Sequence, residues 1–258
     1  MSILGFGAID VGAFAGFAHF EPTDLARQPK EIASRLRHVG TRHKMVFSDL
    51  FLCFGNDLIE RCVNFPDRSI RDTNLEVFRG VSEFCRLADI PGVTLCPGVN
   101  HPTLGRSASL DVAIEELARL SEVGKQAGLR VSFEPHLESI TESPQDALKV
   151  VADVPHLTLT LDYSHFVAQG YSTAAIEPML AHTGHFHVRQ ARQGQAQARG
   201  DSGTIDFDRA LSLLRSAGYN GWVAFEYEWN AWQGNNQVDV VSETILLKRK
   251  LAHFESTA

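Results

Sequence analysis

Four short apolar runs in this sequence each carry a carboxylate or an imidazole at or near their ends. Arg130–Glu134 ends in Glu134, Leu157–Asp162 in Asp162, His185–Arg189 carries His187, and Trp222–Tyr227 carries Glu226. Two glutamates, an aspartate and a histidine make a donor set for a divalent cation, and strand ends hold such donors more rigidly than loops do. The four are spaced 28, 25 and 39 residues apart, close to the ~30 residues that one strand, one helix and their loops require. They therefore fall on consecutive strands, all at C-terminal ends. The competing reading makes Glu134, Asp162 and Glu226 core carboxylates paired with cations. Buried unpaired carboxylates are strongly disfavoured, and these strand ends offer Arg189, one cation for three acids. A divalent ion neutralises more of that charge at once.

Positioning such a set takes alternating strands and helices. Strand-like runs fall at Ala8–Val11, Met45–Leu52, Val93–Cys96, Arg130–Glu134, Leu157–Asp162, His185–Arg189 and Trp222–Tyr227. They are nearly continuously apolar, as parallel strands covered on both faces should be. Helical patterns lie between them at Thr23–Val39, Asp72–Ala88, Ser109–Ala127, Pro144–Ala152, Thr173–Ala181 and Asp206–Ser216, with a last one from Val238 to Phe254. Ser143-Pro144-Gln145-Asp146 places a capping hydroxyl before proline at the first helical position. Gly128 and Gly218 stand where a helix ends in a left-handed residue. Leu110, Ile114, Leu117 and Leu120 recur every three or four residues and give one buried face.

The 258 residues suit one TIM-type (β/α) barrel, for which about 250 is typical. No linker or composition break divides the chain, so a single domain over 1–258 is expected. Seven strands are visible where such a barrel has eight. Ile3-Leu4-Gly5-Phe6-Gly7 reads as the end of a helix turning into a strand. The expectation is that the first βα unit, about 20 residues at ordinary element lengths, is absent. A short start site and an unrecognised strand are the alternatives.

Composition narrows the function classes. Hydrophobic residues make up 44% of the chain, too many for disorder. A net charge of −7 without a Lys/Arg run argues against a nucleic-acid surface. Cys53, Cys62, Cys85 and Cys96 show no CxxC and no disulfide-type spacing, and no signal peptide is visible, which fits a reduced cytoplasmic setting. No apolar stretch approaches the roughly 20 residues of a membrane span.

Glu134 in Phe133-Glu134-Pro135-His136, Asp162 and His165 in Leu161–Phe166, His187 in His185–Arg189, and Glu226 after Gly218-Tyr219-Asn220-Gly221 resemble the sugar phosphate isomerase/epimerase superfamily. This is the xylose-isomerase-like barrel group, which includes the tagatose and psicose 3-epimerases and hydroxypyruvate isomerase. Gly203-Thr204-Ile205-Asp206-Phe207 is similar to the segment those proteins carry between the histidine strand and the next helix. The resemblance runs from Gly5 onward and is strongest from Leu129 to Glu228.

The resemblance implies that Glu134, Asp162, His187 and Glu226 bind one divalent ion. Oxygen donors with one imidazole favour Mn²⁺, with Mg²⁺ or Co²⁺ also suited, over a structural zinc. It implies an isomerase or epimerase of a small sugar or keto-sugar, in which a metal-bound carbonyl passes through an enediolate. Glu134 and Glu226 would flank the substrate, one removing the proton alpha to the carbonyl and the other returning it on the opposite face. His165 and Arg189 are the implied substrate contacts. His136 and Glu228 share strand faces with Glu134 and Glu226 by period-two alternation and are further candidates. Trp229 and Trp232 either stack on a sugar ring or cap the barrel rim, while His101, His182 and His185 read as incidental or structural.

Gln190-Ala191-Arg192-Gln193 departs from the family pattern. That leaves open a dehydratase or lyase on a keto-sugar or keto-inositol at the same site. A non-catalytic sugar-binding barrel is a further alternative, as is an apurinic-site endonuclease, for which the early strands offer only Asp10 and Asp49. The partners expected are a small sugar and, over a free sheet edge, another copy of the chain, with neither nucleic acid nor membrane.

Overall fold

The structure, a computed structural model, describes residues 1–16 and 18–257. Its strands are β1 (Ala8–Phe14), β2 (Val46–Cys53), β3 (Gly92–Leu95), β4 (Arg130–Phe133), β5 (Leu157–Asp162), β6 (Thr183–Val188) and β7 (Val223–Phe225). Among the described residues these seven make one parallel sheet in strict chain order, with β1 and β7 at its ends. Every one coincides with an apolar run of the sequence. The sheet curls into a nearly closed barrel. Side chains draw its two ends together: Phe6 meets Phe225 edge to face at 5.7 Å, and Asp10 of β1 reaches His185 of β6 at 2.8 Å. The outer edge of β1 is blunted locally, because the Gly12 N–H donates to His19 Nδ1 and the Gly12 carbonyl accepts from the Phe20 N–H.

The helices are α1 (Pro22–Arg27), α2 (Pro29–His43), α3 (Arg68–Leu87), α4 (Arg106–Gln126), α5 (Pro144–Asp153), α6 (Tyr163–Ala168), α7 (Thr173–Ile176), α8 (Phe207–Ser216) and α9 (Val240–Leu251). Ser143 caps α5 by accepting from the Asp146 N–H at 3.1 Å. Gly128 and Gly218 end α4 and α8 with φ of 74° and 86°. Two helix expectations need correction. Thr23–Val39 is two helices, because Pro29 keeps Gln28 out of the helical region, at φ −129° and ψ 46°. The stretch expected as Thr173–Ala181 is one turn of α7 followed by a 3₁₀ turn at Glu177–His182 containing Pro178. α6, directly after Asp162, is a further helix that the helical patterns of the sequence do not include.

Strand alternation sorts the chain into two environments. In β5, Leu157, Leu159 and Leu161 pack outward under the helices, while Thr158, Thr160 and Asp162 point into the barrel. The barrel floor is polar: Arg130 pairs with Asp49 at 2.7 Å, and Thr94 donates to Asp49 and lies 2.5 Å from Thr160. Gly92 and Gly184 make room for this, since a Cβ at either would collide with Arg130. The four cysteines are free and buried, and no described helix is long and apolar enough to cross a membrane.

Candidate active site

Glu134 follows β4 immediately, and its N–H continues the ladder to the Leu95 carbonyl at 2.9 Å. Glu226 follows β7 in the same way, donating to the Val188 carbonyl at 3.2 Å. Between them, on β6, stands His187, 4% exposed. Its Nδ1 lies 3.1 Å from Glu134 Oε1 and 2.9 Å from Glu226 Oε2. The three donor groups lie within 4.8 Å of one another. Residues far apart in sequence thus converge at the barrel mouth, as their strand-end positions predict.

Asp162 reaches the same wall but keeps different company. Its carboxylate caps α6 by accepting from the N–H and hydroxyl of Ser164, at 2.8 and 2.7 Å. It also faces Arg189 Nη2 at 2.9 Å. Arg189 is 1% exposed and fully engaged. Its Nε donates to Ser164 Oγ at 2.8 Å, Nη1 to Glu228 at 3.4 Å and Nη2 to His165 Nε2 at 3.1 Å. Burial works against its charge, but Asp162, Glu226 and Glu228 outweigh that and hold its proton more tightly than usual.

His165, on α6, is buried, and its Nε2 lies 3.7 Å from Asp162 and 3.8 Å from Glu134. Burial, together with the neighbouring His136 and Arg189, pushes its pKa well down and keeps the ring neutral. Because Nε2 accepts from Arg189, Nδ1 carries the proton, and that buried N–H has no partner. His136, in the loop after β4, stacks on His165 at 4.1 Å and on Trp232 at 4.9 Å between ring centroids. Trp232 and Gln233 in turn donate to Glu138, tying the loop after β7 to the loop after β4 across the mouth. Trp229 is exposed, and His101 sits in the loop after β3 against Thr103 and Phe65. Glu228 accepts from Asn230 and Asn235 as well as Arg189.

The two glutamates are set apart electrically. Burial, then the neighbouring Glu226, raises the pKa of Glu134. Burial also pushes Glu226 up, but His187 and Arg189 outweigh it and set Glu226 at about 2.

Two participants have roles that their sequence context does not disclose. Ser164, which bridges Asp162 and Arg189, looks like an ordinary helix cap. Asp10 lies beneath His187; its only sequence signal is an acid inside an apolar strand.

A parallel barrel whose C-terminal strand ends gather carboxylates and imidazoles around one point is a TIM-type barrel with a candidate metal-binding cluster at the mouth. The chain belongs to the xylose isomerase-like TIM barrel family, which it matches over residues 4–250. Inosose isomerase of Halalkalibacterium halodurans is 26% identical over 161 residues, which cover 58% of this chain and 57% of that protein. A solved D-tagatose 3-epimerase-like protein superposes with a TM-score of 0.74 at 20% identity, covering 98% of this chain and 91% of its own. The IOLI protein, solved with a zinc atom, superposes at 0.68 with 18% identity over 97% of this chain and 88% of its own.

Proposed function

We propose that this protein is a metal-dependent isomerase or epimerase of a small sugar or keto-sugar, moving a proton on the carbon next to a carbonyl. The observation that carries this reading is the placing of two glutamate oxygens about one imidazole nitrogen, Glu134 at 3.1 Å and Glu226 at 2.9 Å from His187 Nδ1. The donor set fits a hard divalent ion such as Mn²⁺. Glu226 Oε2 is buried with no aligned hydrogen bond, its near contact being His187 Nδ1 at 2.9 Å, which is itself a donor nitrogen for the ion. Glu134, His187 and Glu226 would hold the ion, with Asp162 completing the set from the Arg189 side. When bound, such an ion polarises a carbonyl and stabilises the negative charge that proton removal creates, worth several kcal/mol.

The chain's own residues supply the rest. Glu134 and Glu226 follow different strands, β4 and β7, and in this reading one takes the proton from one face of the substrate and the other returns it to the opposite face. The unpartnered Nδ1–H of His165 donates to a substrate hydroxyl or oxyanion from a water-poor wall. Arg189 keeps Asp162 and Glu228 fixed, and His136 with Trp232 forms the apolar side against which a sugar ring lies. The barrel family and the isomerases and epimerases among its relatives support this reading.

The test is proton exchange. Purified protein with Mn²⁺ in D₂O is incubated with a panel of ketoses and keto-inositols, and deuterium is sought by NMR at the carbon beside the carbonyl. Wash-in with a new isomer or epimer is expected. Protein that binds Mn²⁺ yet leaves every substrate unlabelled overturns the proposal in favour of a binding barrel.

A further inference from the structure

The carboxylate of Asp10 lies inside the barrel, below the glutamates, and its two oxygens have separate duties. Oδ1 accepts from the Ser48 hydroxyl at 2.6 Å. Oδ2 lies 2.8 Å from His185 Nε2 and 3.6 Å from His187 Nε2. β1 and β6 do not pair, so this reach crosses the interior. The β7 residue in register with His187 is Ala224, which brings no polar side chain to the imidazole. The two nitrogens of His187 consequently meet different surroundings. Nδ1 looks up at Glu134 and Glu226, and Nε2 looks down at Asp10.

An imidazole that gives one nitrogen to a cation keeps its proton on the other, and the group facing that N–H fixes the tautomer and the ring's orientation. We propose that Asp10 is the positioning residue of this site. It holds a proton on Nε2 of His187, so that the nitrogen turned toward the two glutamates, Nδ1, is the one that gives up its proton to a cation. This rests on the reading above, in which Glu134, His187 and Glu226 hold a divalent ion. His185 has a lesser part: its Nε2–H anchors Oδ2.

Three measurements test this. In ¹⁵N-histidine-labelled, metal-free protein, with the His187 signal assigned by its loss in His187→Gln, NMR should find Nε2 protonated. A bare Nε2 overturns the proposal whatever any variant does. Asp10→Asn, with its fold checked by circular dichroism, should bind Mn²⁺ about 10- to 100-fold more weakly by electron paramagnetic resonance of the free ion. Unchanged Mn²⁺ affinity overturns it. His185→Gln removes the anchor but leaves Asp10 under His187, and should hold Mn²⁺ affinity within about threefold. A loss as large as that of Asp10→Asn shows that Asp10 only staples β1 to β6, and overturns it too. If wild-type protein binds no Mn²⁺, the metal reading fails, while the NMR result still decides the role of Asp10.

Discussion

Arg189 and Asp162 face each other at 2.9 Å, and each is only 1% exposed. The pair closes one wall of the mouth, so this buried guanidinium serves the protein's own carboxylates. Removing one partner of such a pair strands a charge in a low-dielectric interior, at a cost of about 3–5 kcal/mol. Arg189→Ala should therefore lower thermal stability sharply, read as a fall in Tm by calorimetry. Arg189→Lys should rescue little, because one ammonium cannot replace a guanidinium engaged by Asp162, Ser164, His165 and Glu228. A Tm for Arg189→Ala equal to wild type contradicts this account of the wall.

Glu134→Gln and Glu226→Gln each keep the shape of the side chain and remove the proton-carrying oxygen. Each should reduce turnover by at least 10²-fold, within the usual range for a lost general acid or base, and leave circular dichroism unchanged. Full activity in either variant removes the two-glutamate mechanism.

Chelation gives a second, independent readout. An ion bound by the folded form alone raises stability with its concentration. Treatment with a chelator should lower Tm, and added Mn²⁺ should restore it. A melting curve indifferent to both counts against an ion at Glu134, His187 and Glu226.

In chelated protein the acid limb of stability should carry the mark of Glu226. Its folded value of about 2 lies below the ordinary 4.5. The stability it contributes is fully present above about pH 4.5 and is lost as pH falls toward 2. Glu134 acts in the opposite sense: its raised value means that protonation relieves a burial cost. Glu226→Gln should therefore flatten the fall in denaturation midpoint between about pH 4.5 and 2. An unaltered slope shows that Glu226 is not held down in the folded state.

Much of the architecture was legible because its cause is local. A run such as Leu157-Thr158-Leu159-Thr160-Leu161-Asp162 states both its strand and its two faces, and Ser143 and Gly128 mark helix ends through their own chemistry. Convergence of Glu134, His187 and Glu226 follows from strand-end position alone. What lay beyond the sequence is pairing through space. Spacing cannot say which acid Arg189 selects, nor that Asp10 crosses the barrel to His185, 175 residues away. α6 was hidden for a different reason: Phe166-Val167-Ala168 after Asp162 extends the apolar pattern of the strand before it.

The tie from Glu138 to Trp232 and Gln233 has a kinetic consequence. It joins the loops after β4 and β7 above the glutamates, so in the proposed reaction a ligand would pass more readily once these two exposed contacts break and the loops part. Under the proposed function, weakening this latch by Glu138→Ala would shorten ligand residence without touching the glutamates beneath it.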